Sequence, residues 1–235
     1  MLNTGTMSRV SIVIPTLNAA AALHGSLPPL AEFAVLDLIR EVVVADGGSA
    51  DETAAIAEAS GARFVKTEKG RGAQLAAGAE AARGDWLLFL HADTILQPGW
   101  DRAIRDFIGN SGNRRCAGYF RFALDDGRFG ARRIQWLANL RARILGLPYG
   151  DQGLLISRGF YRQLGGFRPL ALMEDVDLVR RIGRGRLQML KATAVTSAER
   201  YRHDGFWLRP MRNQFCLLLW LLGVPLNRIM RIYYR

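Results

Sequence analysis

The residues of this chain best placed to do chemistry stand directly after runs of apolar residues. The clearest case is Trp86-Leu87-Leu88-Phe89-Leu90, five apolar residues in a row, which ends on His91-Ala92-Asp93. Such a run reads as a strand buried on both faces, the kind found in parallel α/β sheets. Ligands of open α/β sheets sit just beyond the C-terminal ends of the strands, where Asp93 would be delivered. A carboxylate there suits a divalent cation that holds a phosphate, although the same position also serves as an ordinary helix cap.

Three more segments follow the pattern. Val10-Ser11-Ile12-Val13-Ile14 ends at Pro15-Thr16-Leu17-Asn18, and Glu41-Val42-Val43-Val44-Ala45 ends at Asp46-Gly47-Gly48-Ser49-Ala50-Asp51. Ala62-Arg63-Phe64-Val65 is shorter and leads to Glu68-Lys69-Gly70-Arg71-Gly72. The glycines after Asp46 predict an exposed carboxylate on a tight turn. In a nucleotide site that carboxylate can accept the imide N–H of uracil. Ser49 and Asp51 read as the start of the next helix. Lys69 and Arg71, among glycines at a helix start, suit a phosphate or base, or form an ordinary basic loop.

These tips need a scaffold that brings them to one edge. Ala-rich helical sequence from Asp51 to Ser60 and from Gly72 to Arg83 alternates with the strands. Strand, polar tip and helix in repetition describe an α/β fold with a doubly wound, mostly parallel sheet. Further on, Gly118 to Phe122 and Gly153 to Ser157 read as strands. Met173-Glu174-Asp175-Val176-Asp177-Leu178 opens a helix running through Arg180 and Arg181, and its three carboxylates complement the helix dipole. The expected division is a main domain over 8–198, split at 110/111 into a half that carries the nucleotide-site candidates and a second half. A basic, apolar helical tail over 199–235 follows.

Composition and charge narrow the function classes. The 235 residues, 49% of them hydrophobic, suffice for a full core. Cys116 and Cys216 show no metal-like spacing, so a reducing cytoplasmic setting is expected. Met1 to Arg9 lacks the order of a signal peptide, and the apolar run Phe215 to Val224 is shorter than the roughly 20 residues that span a bilayer. Residues 1–110 carry 9 Lys and Arg against 13 Asp and Glu, whereas residues 111–235 carry 23 against 8. The second half therefore faces something anionic, or the genome simply favours Arg, with 29 Arg to 3 Lys. No nucleic-acid-binding motif accompanies the charge. The tail, apolar from Trp207 to Gly223 and flanked by arginines and Tyr233-Tyr234, fits three roles. They are packing on the catalytic domain, a homodimer contact, or peripheral contact with the inner face of a membrane.

Taken in order, the motifs resemble those of a short GT-A fold, family-2-type glycosyltransferase. Ile12 to Asn18 is similar to the family's opening strand, Val44 to Asp51 to its Val-Asp-Asp-Gly-Ser-x-Asp segment, and His91-Ala92-Asp93 to its Asp-x-Asp. Gly165-Gly166-Phe167 and Glu174-Asp175 resemble its later Gly-Gly-Phe and Glu-Asp, so the likeness runs from about Val10 to Arg186. Departures are Ala19 for a usual Glu, Gly47 for the second Asp of the pair, and His91 for the first Asp of Asp-x-Asp. A subgroup of short transferases with Leu-His-Ala-Asp-Thr and Tyr-Gly-Asp-Gln-Gly, here Tyr149 to Gly153, is similar too. Genomic context associates that subgroup with arsenosugar or selenium pathways.

The resemblance implies an inverting, metal-dependent transferase that moves one sugar from a nucleotide-diphosphate sugar, UDP-linked by expectation, to a hydroxyl acceptor. That acceptor would be a small metabolite or a lipid phosphate. Asp175 would be the general base with Glu174 beside it. Pro15, Thr16, Asn18, Asp46, Lys69, Arg71, His91 and Ala92 would hold the nucleotide. Asp93 would hold Mn²⁺ or Mg²⁺, joined by His203 in those GT-A enzymes that use a late His. His91 would act as a neutral imidazole toward ribose or metal, or simply pack. Processive synthases carry Gln-x-x-Arg-Trp and spanning helices, which this sequence lacks. Alternatives are a catalytically impaired nucleotide-sugar-binding module and a sugar-nucleotide pyrophosphorylase, whose Gly-rich loop Pro15 to Ala20 does not match. A dinucleotide-binding dehydrogenase is excluded because no Gly-x-Gly-x-x-Gly follows the first strand.

Overall fold

The structure is a computed structural model that describes residues 9–31 and 37–233. The stretch before Arg9, with the start of the expected domain, lies outside the described residues, as do Tyr234 and Arg235 of the tail. In chain order the elements begin with β1 (Val10–Thr16), α1 (Ala20–Ala31), β2 (Ile39–Asp46), α2 (Thr53–Ala59), β3 (Arg63–Lys66) and α3 (Arg71–Ala81). Next come β4 (Trp86–Phe89), β5 (Thr94–Leu96), α4 (Trp100–Gly109), β6 (Ala117–Leu124) and α5 (Phe129–Leu145). The chain continues with β7 (Leu154–Ser157), α6 (Arg158–Gln163), α7 (Glu174–Ile182) and β8 (Leu187–Thr196). Three helices, α8 (Glu199–Asp204), α9 (Leu208–Leu221) and α10 (Leu226–Tyr233), form the tail.

One eight-stranded sheet runs in the order β3-β2-β1-β4-β7-β6-β8-β5. The first four strands are parallel, so the tips after Thr16, Asp46 and Lys66 share an edge with the loop after β4. Strand β7 runs antiparallel to β4 and to β6, and the pair β6–β8 is parallel again. The buried run of β4 follows from its place between β1 and β7, with apolar layers on both faces.

Alternation along β1 sorts its side chains to two layers. Val10, Ile12 and Ile14 pack with Leu23 and Leu27 of α1, Ala57 of α2 and Trp100 of α4. Val13 faces the other way, toward Leu75 of α3, Phe160 of α6 and Leu178 of α7. Helices on both faces make the sheet doubly wound. The tail is seated rather than free. Cys216 and Leu217 of α9 and Ile229 of α10 are buried with Leu147, Met173 and Val176. Near its start, Ala198 is buried with Phe122 and Ala131, against which Tyr201 and Phe206 pack. Among the described residues no helix is long and apolar enough to cross a membrane.

Candidate active site

The loops after β1 and β2 are locked together. Asn18 sits at φ 50°, and its Oδ1 accepts from the Ala50 N–H at 2.9 Å, while its own N–H donates to Ser49 Oγ at 2.7 Å. Asp51 Oδ2 accepts from the Ala20 N–H at 3.0 Å and so caps α1 from a neighbouring loop. Asp51 also accepts from the Thr53 N–H at 3.1 Å at the start of α2, which fits the helix-start reading.

Asp46 corrects the expectation of an exposed carboxylate, because it is only 3% exposed. Its Oδ1 accepts from Thr16 Oγ1 at 2.9 Å and from the Ser49 hydroxyl. Oδ2 accepts from the Gly48 and Ser49 N–H groups at 2.9 and 2.7 Å. Four hydrogen bonds fill the acceptor capacity of a carboxylate, so none is left for a uracil imide. Burial alone would raise its pKa, but the bonds from Ser49, Thr16 and Gly48 hold it below the ordinary value. Gln74 of α3, which sequence reasoning missed, donates to the Thr16 and Ala45 carbonyls, the latter at 3.2 Å. A Cβ at Gly47 would lie 2.9 Å from Gln74 Nε2, which accounts for Gly in place of the usual Asp.

Beside these tips lies a cleft of about 820 Å³, its open mouth included. Arg71, His91 and Asp93 line it from the first half, and Asp151, Glu174 and Asp175 from the second. Arg200, Tyr201, Arg209, Asn213 and Tyr233 close it from the tail. A smaller, apolar recess of about 410 Å³ adjoins it behind His91, Tyr149 and Asp175. Of the expected nucleotide residues, Arg71 and His91 line the cleft. Pro15, Thr16, Asn18, Asp46 and Lys69 belong to the neighbouring tips, and Ala92 packs against the core. His203 is exposed on α8 and does not line the cleft, so the structure does not bring it to Asp93. Among the described residues no three His, Cys, Asp or Glu side chains gather as metal ligands.

Arg71, the first residue of α3, points its guanidinium at two partners. Its Nη2 lies 3.2 Å from His91 Nδ1, and its Nε 3.6 Å from Glu174 Oε1. A guanidinium only donates, so Nδ1 is the acceptor and the imidazole proton sits on Nε2. Burial, then Arg71 and Arg200, keep the His91 pKa well below its usual value. Burial and the two arginines thus favour the neutral imidazole, with Nδ1 facing Arg71 and the proton on Nε2. A Cβ at Gly150 would fall 2.5 Å from His91 Nε2, so only glycine permits this approach.

The opposite wall carries the two acids of α7. Glu174 is 3% exposed, and burial together with Asp175 raises its pKa against the pull of Arg71. It pairs with Arg71 at the buried wall of the cleft. Asp175 is half-buried, lines both cavities, and accepts from the Gly150 N–H at 2.8 Å and the Val176 N–H at 2.7 Å. Asp177 turns away to Arg168 and Arg181 at 3.1 and 2.6 Å, a structural role. Asp151, not singled out by the sequence, brings a fourth acid to the cleft beside Asp93, Glu174 and Asp175, and its buried Oδ1 lacks a hydrogen-bond partner.

A doubly wound sheet whose parallel tips border a cleft with an accessible carboxylate is the arrangement found in a GT-A fold. The chain belongs to glycosyl transferase family 2, whose profile matches residues 11–163. It is 42% identical over 93 residues to a PGL/p-HBAD biosynthesis glycosyltransferase of Mycobacterium tuberculosis, covering 37% of this chain and 36% of that protein. It is 35% identical over 98 residues to a glucosyl-3-phosphoglycerate synthase of the same species, covering 37% and 29%. The chain thus spans about a third of the length of the curated relatives it matches. Among solved structures it is similar to that synthase with Mn²⁺, UDP and glucosyl-3-phosphoglycerate. The TM-score is 0.58 at 24% identity over 81% of this chain and 71% of that one. A complex of the synthase with Mg²⁺ and UDP gives 0.57 at 22% identity over 81% and 70%.

Proposed function

We propose that the protein transfers one sugar from a UDP-sugar to a hydroxyl acceptor with inversion at the anomeric carbon. The observation that supports this reading is the convergence of Arg71, Asp93 and Asp175 on one cleft beside the parallel strand tips. Asp175 takes the proton of the acceptor hydroxyl as its oxygen attacks the anomeric carbon, and the Gly150 N–H holds the carboxylate in place. Arg71, at the N-terminus of α3 and oriented by Glu174, faces the diphosphate together with the helix dipole. His91 offers its Nε2–H as a donor. The tips bearing Pro15, Thr16, Asn18, Lys69 and Ala92 cradle the nucleoside, with Asp46 shaping them from inside.

The residues present fit a divalent cation shared with a diphosphate. Such an ion needs only one or two protein carboxylates, and Asp93 supplies one at the cleft. Bound there, Mn²⁺ or Mg²⁺ would neutralise charge on the departing diphosphate. The complexes of the similar synthase with UDP and Mn²⁺ or Mg²⁺ support the same donor and cation here. Arg200 and Arg209 at the cleft favour an acceptor that carries a phosphate or carboxylate, as the phosphoglyceric acid complex of that synthase does. Nothing among the described cleft residues is particular to arsenic or selenium chemistry.

A screen of UDP-sugars for hydrolysis and transfer, with Mn²⁺ and Mg²⁺, tests the reading. Turnover should depend on the cation and disappear in Asp93→Ala, and proton NMR should show an inverted product. Retained configuration would refute the single displacement. UDP binding without turnover of any donor would favour a binding module, the reading that His91 in place of an acid supports.

A further inference from the structure

Among the described residues, most of the exposed large apolar side chains lie on two helices. Of 15 such residues, 12 belong to α5, to α9 or to the two residues flanking α9. Leu208, Met211, Phe215 and Leu218 of α9 are 74%, 66%, 50% and 51% exposed, and Leu222 at its C-cap is 72% exposed. Their spacing of three and four residues draws one stripe along the helix. Arg209 and Asn213, which line the cleft, each precede a stripe residue by two positions, about 200° around the helix. One side of α9 therefore closes the cleft while the opposite side shows leucines, methionine and phenylalanine to the outside. On α5, Phe129, Trp136 and Ile144 are exposed as well. The helices meet where the Arg133 guanidinium lies 3.2 Å from the Trp207 ring centroid.

The charge on this face has one sign. Helices α5 and α9 hold six arginines and neither Asp nor Glu, and of the six only Arg209 turns to the cleft. A second copy of the chain is a poor occupant. A two-fold contact sets a patch against itself, and here arginine would meet arginine with no acid to pair it. Apolar residues flanked by cations alone match the headgroup boundary of an anionic bilayer. We propose that the face formed by α5 and α9 lies on an anionic membrane surface, with the apolar stripe in the headgroup boundary and arginines on lipid phosphates. The inference stands apart from the sugar-transfer reading, because it rests on residues facing away from the cleft.

Co-sedimentation of the full chain with phosphatidylcholine vesicles, with and without phosphatidylglycerol, tests it. Binding should require the anionic lipid and weaken with salt. Arg132→Gln with Arg143→Gln, both exposed on α5, should lower partitioning about twenty-five-fold, at roughly fivefold per arginine. Met211→Ser with Phe215→Ser should abolish binding while leaving melting temperature and UDP-sugar turnover unchanged. Equal binding to neutral and anionic vesicles, no binding to either, or a dimer that these substitutions dissociate would overturn the proposal. Loss of turnover in the unmodified chain would instead count against the transfer reading.

Discussion

Replacing Asp151 by Asn should stabilise the protein, and only above acidic pH. The Asp151 carboxyl is pushed up from 3.8 to about 6, first by burial and then by Asp175, while Arg141 offsets part of the cost. Its Oδ1 finds no hydrogen-bond partner, so Arg141 and Arg71 compensate the charge only in part. An acid whose pKa is raised on folding costs no stability while protonated in both states. The cost appears as pH rises through the unfolded value of 3.8 and is complete above the folded value of about 6. The gap corresponds to about 3 kcal/mol at about 1.4 kcal/mol per pKa unit. Asn removes the charge but nearly keeps the shape. Urea unfolding of both proteins should show the variant gaining about 2 kcal/mol over the parent between about pH 4.5 and about pH 8. Near neutral pH a gain of about 3 kcal/mol raises the melting temperature by about 6–12 °C. A stability difference that does not change with pH would show that Asp151 is not held as a destabilised acid.

Three other substitutions probe the scaffold of the site. Gln74→Ala removes the amide that bridges the Thr16 and Ala45 carbonyls, and should cost about 2–4 kcal/mol in urea unfolding. A variant as stable as the parent would show that the bridge contributes nothing. Gly150→Ala drives a methyl group toward His91 Nε2, with overpacking of about 1–3 kcal/mol. Its turnover should fall more than its melting temperature suggests, and unchanged kcat would mean that the His91 position is unimportant. Leu217→Ala, beneath α9, should cost about 2–5 kcal/mol, whereas a neutral effect would show that the tail is loosely seated.

The sheet was legible where burial is uniform. The apolar runs of β1, β2 and β4 are read directly because both faces of the central strands are covered. Strand β8 was not read, since Leu187 to Thr196 mixes exposed and buried polar residues near the sheet edge, where no continuous run is needed. Helix α5, rich in arginine with an exposed apolar side, gave no ordinary amphipathic pattern. Asp93 and Arg71 were found from their places at strand and helix ends, whereas Asp175 was singled out only by the family resemblance. Asp46 was misjudged because its glycines suggest a surface turn, whereas the hydroxyl that buries it comes from Thr16, 30 residues away. Gln74 is one polar residue inside a helix, and its bond to Thr16 spans 58 positions, beyond any local pattern. The tail residues of the cleft, Arg209, Asn213 and Tyr233, depend likewise on how α9 and α10 fold back.

The central claim is that Asp175 removes the proton from the acceptor hydroxyl. Asn at this position keeps the shape, including an oxygen for the Gly150 N–H, and loses the base. The decisive measurement pairs calorimetry of UDP binding in the presence of Mn²⁺ with turnover of the UDP-sugar identified by the screen. In Asp175→Asn, UDP affinity should match the parent while kcat falls by a factor of ~10² or more. Turnover close to that of the parent, or a loss of UDP affinity as large as the loss of turnover, would contradict the assignment.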